Sequence, residues 1–314
     1  MTPRERVQAA LEVRQPDQVP HFEMQFQLCE EEFGPGVDYL SQERLDRATG
    51  AERERLLHEN AQLFLRTAER FEWAAVPFWA LGKGEDILSN MRLLKDEYLG
   101  DRYMLAGFAG GGTYGIPDGS NMMEYAASFF DRPREMHERA EGDLRHAIEW
   151  GKRQIEAGCE LIILNTDYAF NDGPFLSPRM FAEFVTPYLQ RNVAALRDAG
   201  GYVMLHTDGN LMPIMDQLLS AQPHALQSID PQAGMDIAEV KRLYGDRLCL
   251  MGNVECGLLQ LGTEEQIRQA ARYCMQHGKP GGGYIFSTSN VVFKGMDLAR
   301  YHLILDVWRH MREY

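Results

Sequence analysis

The chain has no C-x-x-C pair, no apolar run long enough to cross a membrane and no glycine-rich nucleotide turn, and each absence excludes something. Its five cysteines (Cys29, Cys159, Cys249, Cys256 and Cys274) are scattered and odd in number, which argues against a disulfide framework. The expected compartment is the reducing cytoplasm. No stretch approaches the roughly 20 apolar residues of a membrane span, and no basic n-region opens the chain. Positive charge is scarce: 32 Lys and Arg stand against 46 Asp and Glu, a formal net charge of −14. Such a chain repels phosphate backbones and anionic lipid, so neither nucleic acid nor membrane is an expected partner. Gly-x-Ser-x-Gly, the P-loop, the dinucleotide fingerprint and His-Glu-x-x-His are all missing, which removes several common enzyme classes.

What is present reads as a soluble α/β protein. Apolar residues make up 45% of the 314 and charged ones 25%, enough for a core that needs no disulfide or structural metal. Thr2, Pro3 and Glu5 form a helix start, and Gln15-Pro16-Asp17 a stop, so residues 1–18 read as an N-terminal helical extension. Eight short apolar runs then read as strands: Val19–Phe26, Ala74–Ala80, Tyr103–Phe108, Leu161–Tyr168, Tyr202–Thr207, Ala225–Ile229, Leu248–Gly252 and Tyr284–Ser287. Most lack polar alternation, the pattern of strands buried on both faces of a parallel sheet. Helical periodicity fills the gaps at Glu43–Phe71, Asn121–Ala157, Pro178–Ala199, Asp236–Tyr244, Glu264–His277 and Met296–Arg312. Eight β-then-α units predict a single closed (β/α)8 TIM barrel over residues 1–314. A doubly wound open sheet is the alternative, but no phosphate turn follows the first strand.

In a barrel, chemistry sits at the carboxyl ends of the strands. Those positions here carry His21 and Glu23, then Trp79, Asn165 and Asp167, His206, Asp208 and Asn210, Ser228 and Asp230, Asn253 and Glu255, and finally Ser287, Ser289 and Asn290. Phe22, Phe108, Tyr114, Phe170 and Phe175 add aromatic walls suited to a flat, partly apolar molecule. The weightiest motif is His206-Thr207-Asp208-Gly209-Asn210, whose period-two spacing lets His206 and Asp208 reach one bound atom. Such a pair holds a divalent metal or acts as an acid with its orienting partner. An isolated pair is more simply a barrel histidine and a helix cap; convergence with Asp167 and Glu23 favours the chemical reading. Gly110–Gly112 reads as a plain loop rather than a phosphate cradle, and Met122-Met123 as helix core.

Several segments together resemble the uroporphyrinogen decarboxylase superfamily: Met1–Val7 with Arg14–Pro20, Leu176-Ser177-Pro178, Gly234–Lys241, Met251–Val254 and Pro280–Tyr284. The resemblance runs from Thr2 to about Tyr301 and implies the same (β/α)8 barrel. Two chemistries occur in that superfamily. Its decarboxylases carry an Arg-Gln-Ala-Gly-Arg segment after strand one and an aspartate after strand two. This chain has His21–Gln27, without arginine, and Phe78-Trp79-Ala80. The other branch, corrinoid-dependent methyltransferases, includes enzymes that hold zinc through His-x-Cys on strand five; here His206 is kept and Asp208 replaces the cysteine, an oxygen-rich substitute.

What remains resembles the enzymes that move a methyl group from a methoxylated aromatic ether to cob(I)alamin on a separate corrinoid protein. On this reading His206, Asp208, Asp167 and Glu23 are the catalytic candidates, and His206 with Asp208 the metal ligands, zinc being the possible ion. Phe22, Trp79, Phe108, Tyr114, Phe170, Asn210, Asn253 and Asn290 are the substrate-binding candidates. The cobalamin comes with the corrinoid partner, and a homodimer is allowed. A decarboxylase and a non-catalytic binder of small aromatics are the alternatives.

Overall fold

A computed structural model describes residues 1–314. The first helix, Pro3–Leu11, starts as the sequence predicts. Thr2 Oγ1 accepts the Glu5 amide at 3.2 Å, and the Glu5 carboxylate accepts the Thr2 amide at 2.7 Å. It stops before the predicted Gln15-Pro16-Asp17, and Val13 just beyond takes a φ of 53°.

Seven strands form one parallel sheet in chain order: β1 (Ala75–Pro77), β2 (Met104–Gly110), β3 (Leu161–Asn165), β4 (Tyr202–Thr207), β5 (Ala225–Ser228), β6 (Cys249–Val254) and β7 (Tyr284–Thr288). Helices cover the crossovers, which is why runs such as Leu161-Ile162-Ile163-Leu164 are buried without alternation. The first expected strand, Val19–Phe26, is not one. Pro20 has no amide hydrogen for a ladder, and the side chains of His21 and Glu23 are occupied by Phe286, Tyr301 and Thr288. The segment instead makes single bonds to both edges of the curled sheet. Phe286 N–H donates to the Pro20 carbonyl at 2.9 Å, and Ala74 N–H, next to β1, donates to the His21 carbonyl at 2.7 Å. The fold is thus α/β on a curled parallel sheet of seven strands, where eight were expected.

Three helices expected in one piece are each two. Gln42–Arg47 and Gly50–Arg70 part at Thr49, with Gly50 at a φ of 54°. Met122–Asp131 and Pro133–Glu156 part where Pro133 opens a new first turn, and Pro178–Phe184 gives way to Thr186–Asp198 at Pro187. The β1–β2 crossover holds a helix the sequence reading passed over, Gly84–Leu93, which continues as wider turns over Leu94–Leu99. After β3 a small hairpin, Ala169–Phe170 with Gly173–Pro174, folds over the sheet end. The loop after β4 passes it so closely that a Cβ on Gly209, at a φ of 88°, would collide with the Ala169 carbonyl.

Candidate active site

Parallel pairing places the carboxyl ends of β3, β4 and β5 side by side, with Asn165, His206 and Gln227 in one register row. From these ends three potential ligands converge. Asp167 comes from the loop after β3, His206 from β4 and Asp208 from just beyond it, their ligand atoms all within 4.8 Å of one another. His206 Nε2 lies 4.0 Å from Asp167 Oδ1. Two bonds lock the loops together: Tyr168 N–H donates to Thr207 Oγ1 at 3.0 Å, and Asp208 N–H donates to Asp167 Oδ1 at 3.1 Å. The Asp208 carboxylate is aimed by donors on either side, Ser228 Oγ at 2.6 Å and Asn290 Nδ2 at 2.5 Å. Burial raises the Asp208 carboxyl above its ordinary value. Asp167 and Asp230 push the same way, while His206 and the Ser228 hydrogen bond oppose it.

Ser228 reaches Asp208 through unusual backbone. Ser228 ends β5 and Ile229 follows it, at φ values of 95° and 49°, both left-handed and neither glycine. Such geometry persists where the surroundings impose it. Here Asn253 Nδ2 donates to the Ile229 carbonyl at 2.7 Å, and Cys274 Sγ donates to Asn253 Oδ1 at 3.3 Å. Asn253 therefore braces the turn with both ends of its amide in use.

The other residues named from sequence scatter. Glu23 is fully buried and lies outside the three-residue group; its carboxylate accepts from Thr288 Oγ1 at 2.6 Å, from Thr288 N–H at 3.1 Å and from Ser287 Oγ at 3.3 Å. Burial pushes its carboxyl up to about 8 against those hydrogen bonds. Phe22 is core, and Tyr114 points away, its hydroxyl donating to the Met136 carbonyl at 2.5 Å. Asn210 Oδ1 accepts the Met212 amide, capping the next turn. Phe170 stands exposed on the hairpin beside Phe175. Trp79 and Phe108 share a cavity of about 190 Å³ with Gln25, Phe78 and Asn165, the neighbour of His206. Asn290 is in the site, as a partner of Asp208.

Ser228, expected at a strand end, is the donor that aims Asp208, while Gln227, the partner of His206 Nδ1, has no place in the sequence expectations. The signal for Gln227 was a lone amide in the apolar run Ala225-Leu226-Gln227.

Residues 62–311 match the family of uroporphyrinogen decarboxylase (URO-D). The chain belongs to the uroporphyrinogen decarboxylase family. The uroporphyrinogen decarboxylase of Thioalkalivibrio sulfidiphilus is 28% identical over 237 residues, and that of Chlorobium phaeovibrioides 27% over 232. Each match covers 70% of this chain and 63% of the relative, so the chain spans less than two thirds of the relatives' length. Among solved structures, a methyltransferase from Methanosarcina mazei superimposes with a TM-score of 0.74 over 99% of both chains at 16% identity, which is likeness of fold.

Proposed function

We propose that the protein is a corrinoid-dependent methyltransferase, taking a methyl group from a methoxylated aromatic ether for cob(I)alamin held on a separate corrinoid protein. The observation that carries this reading is the convergence of Asp167, His206 and Asp208, to which no Lys or Arg side chain is bonded. Decarboxylation of a polycarboxylate porphyrinogen asks for the opposite, a mouth rich in fixed cations; a carboxylate pressed among like charges costs several kcal/mol. The Trp79–Phe108 cavity, about 190 Å³, suits one substituted ring, since an apolar space of about 150 Å³ takes benzene. It has no room for a corrin macrocycle, which favours a cofactor presented from outside by its own protein. In this reading the curled sheet and the Val19–Phe26 segment act together as one (β/α)8 domain, cytoplasmic, with a homodimer allowed.

The donor set fits a divalent metal. One imidazole nitrogen and two carboxylates make a harder site than His-x-Cys, acceptable to zinc and to harder divalent ions. A metal held by His206, Asp167 and Asp208 supplies Lewis acidity at the ether oxygen, and the docked corrinoid supplies the nucleophile. The chain's own part is orientation. Trp79 and Phe108 would flank the ring, Asn165 joins their cavity to the row of His206, and Ser228 and Asn290 keep Asp208 from turning away.

The test mixes the protein with a methoxyphenol and cob(I)alamin and follows the visible spectrum. Methylation that is lost on chelation and restored by zinc supports the reading. Release of CO₂ from uroporphyrinogen without a spectral change assigns a decarboxylase. Ligand binding with neither reaction leaves a binding protein.

A further inference from the structure

We infer that Gln227 is a positioning residue that sets the tautomer of His206, so that its Nε2 lone pair, and not a proton, faces Asp167 and Asp208. The inference rests on the reading of His206 as a metal ligand, and its geometry is local. Gln227 is completely buried in β5, directly across the register from His206. Its Nε2 donates to the carbonyls of Thr288 at 3.4 Å and Ser289 at 3.2 Å. Both partners are backbone oxygens, which only accept, so the amide nitrogen has to face them. The side-chain oxygen therefore faces His206 Nδ1. An oxygen there accepts, so Nδ1 must carry the hydrogen; in the neutral ring Nε2 is then left with its lone pair. That nitrogen points at the Asp167 carboxylate across 4.0 Å, too long for a hydrogen bond between them.

The carbonyls that orient Gln227 are themselves held. Glu23 grips Thr288 through its amide, at 3.1 Å, and its hydroxyl, at 2.6 Å. A buried relay thus runs from Glu23 through Thr288 and Gln227 to His206. It gives Glu23 a place three links behind His206. In the neutral ring, an imidazole locked this way presents Nε2 as an acceptor, the form a metal ion binds. Outer partners that orient a ligating histidine in this manner are worth about 10–100-fold in metal affinity.

Nitrogen NMR of metal-free, ¹⁵N-histidine-labelled protein tests it, with the His206 signals identified by their loss in His206→Ala. The expected result places the hydrogen on Nδ1 in the wild type. In Gln227→Leu the population shifts toward Nε2–H, and Co²⁺ affinity, read from its visible absorption, falls about 10–100-fold. An Nε2–H tautomer in the wild type overturns the inference whether or not the variant folds. So does a folded Gln227→Leu that keeps both the Nδ1–H tautomer and its Co²⁺ affinity. Methyl transfer enters neither readout, so failure of the proposed reaction and failure of this inference are told apart.

Discussion

Glu23 has a buried carboxyl pushed up to about 8, and the sign of its effect on stability follows from that. The unfolded chain releases this proton near the ordinary value of about 4.3, while the folded chain keeps it up to about 8. The contribution of Glu23 is therefore intact below the unfolded value and is lost as pH rises through the folded one. Glu23→Gln keeps an oxygen for Thr288 but cannot ionise. Its Tm should match the wild type near pH 5 and exceed it at pH 9, by roughly 5 °C if a few kcal/mol are involved. Parallel melting curves for the two proteins across that range would show that Glu23 ionises freely in the fold. His206 has a different signature. Losing a metal ligand or acid at the reacting oxygen costs at least about 10²-fold in turnover. His206→Ala should lose that much in demethylation while still binding the methoxyphenol, because the aromatic walls remain; near-normal turnover would remove His206 from the reaction.

Strand β5 shows where structure at the scale of an element was and was not legible. The run Ala225–Ile229 announces a buried strand through composition alone, as do the other six strands of the sheet. Val19–Phe26 has comparable apolar content, yet Pro20 cannot donate to a ladder and the polar side chains are captured by β7 and the last helix, contacts no local pattern reveals. Proline was the readable sign missed at Pro133 and Pro187, where long helical patterns break. The motif around His206 was legible because polar groups at successive strand ends are conspicuous. The left-handed turn at Ser228 and Ile229 was not, since neither residue advertises a positive φ. That turn yields a prediction about β5. Ser228→Gly relieves a non-glycine φ of 95° and so should hold or raise stability, by up to about 1 kcal/mol. It also removes the hydroxyl that aims Asp208, so metal affinity should fall several-fold. A variant both less stable and unchanged in metal affinity would mean that the turn serves packing alone.

At the scale of the whole molecule, charge and fold act on the same question, which substrate the mouth admits. The chain carries a net charge of −14. The two lysines nearest the strand ends are already engaged: Lys83 lies 2.7 Å from Asp46, and Lys294 sits 3.7 Å from Asp38 and 3.8 Å from Glu30. Lys294 lines a cavity of about 410 Å³ that shares Trp79 with the one beside Phe108, so it is the cation a bound anion would have to recruit. Doing so means taking it from two carboxylates. Exposed ion pairs are individually weak, about 1 kcal/mol or less, so the decisive term is the negative field of the chain as a whole, which a divalent ion on Asp167 and Asp208 offsets only locally. A neutral methoxyphenol should therefore be demethylated in preference to its ring-carboxylated counterpart, by about tenfold or more in kcat/KM when the two compete at low concentration. Raising salt should narrow the gap, because screening weakens repulsion at the open rim. Preference for the carboxylate, abolished in Lys294→Ala, would instead identify Lys294 as a substrate anchor and reverse this account of the mouth.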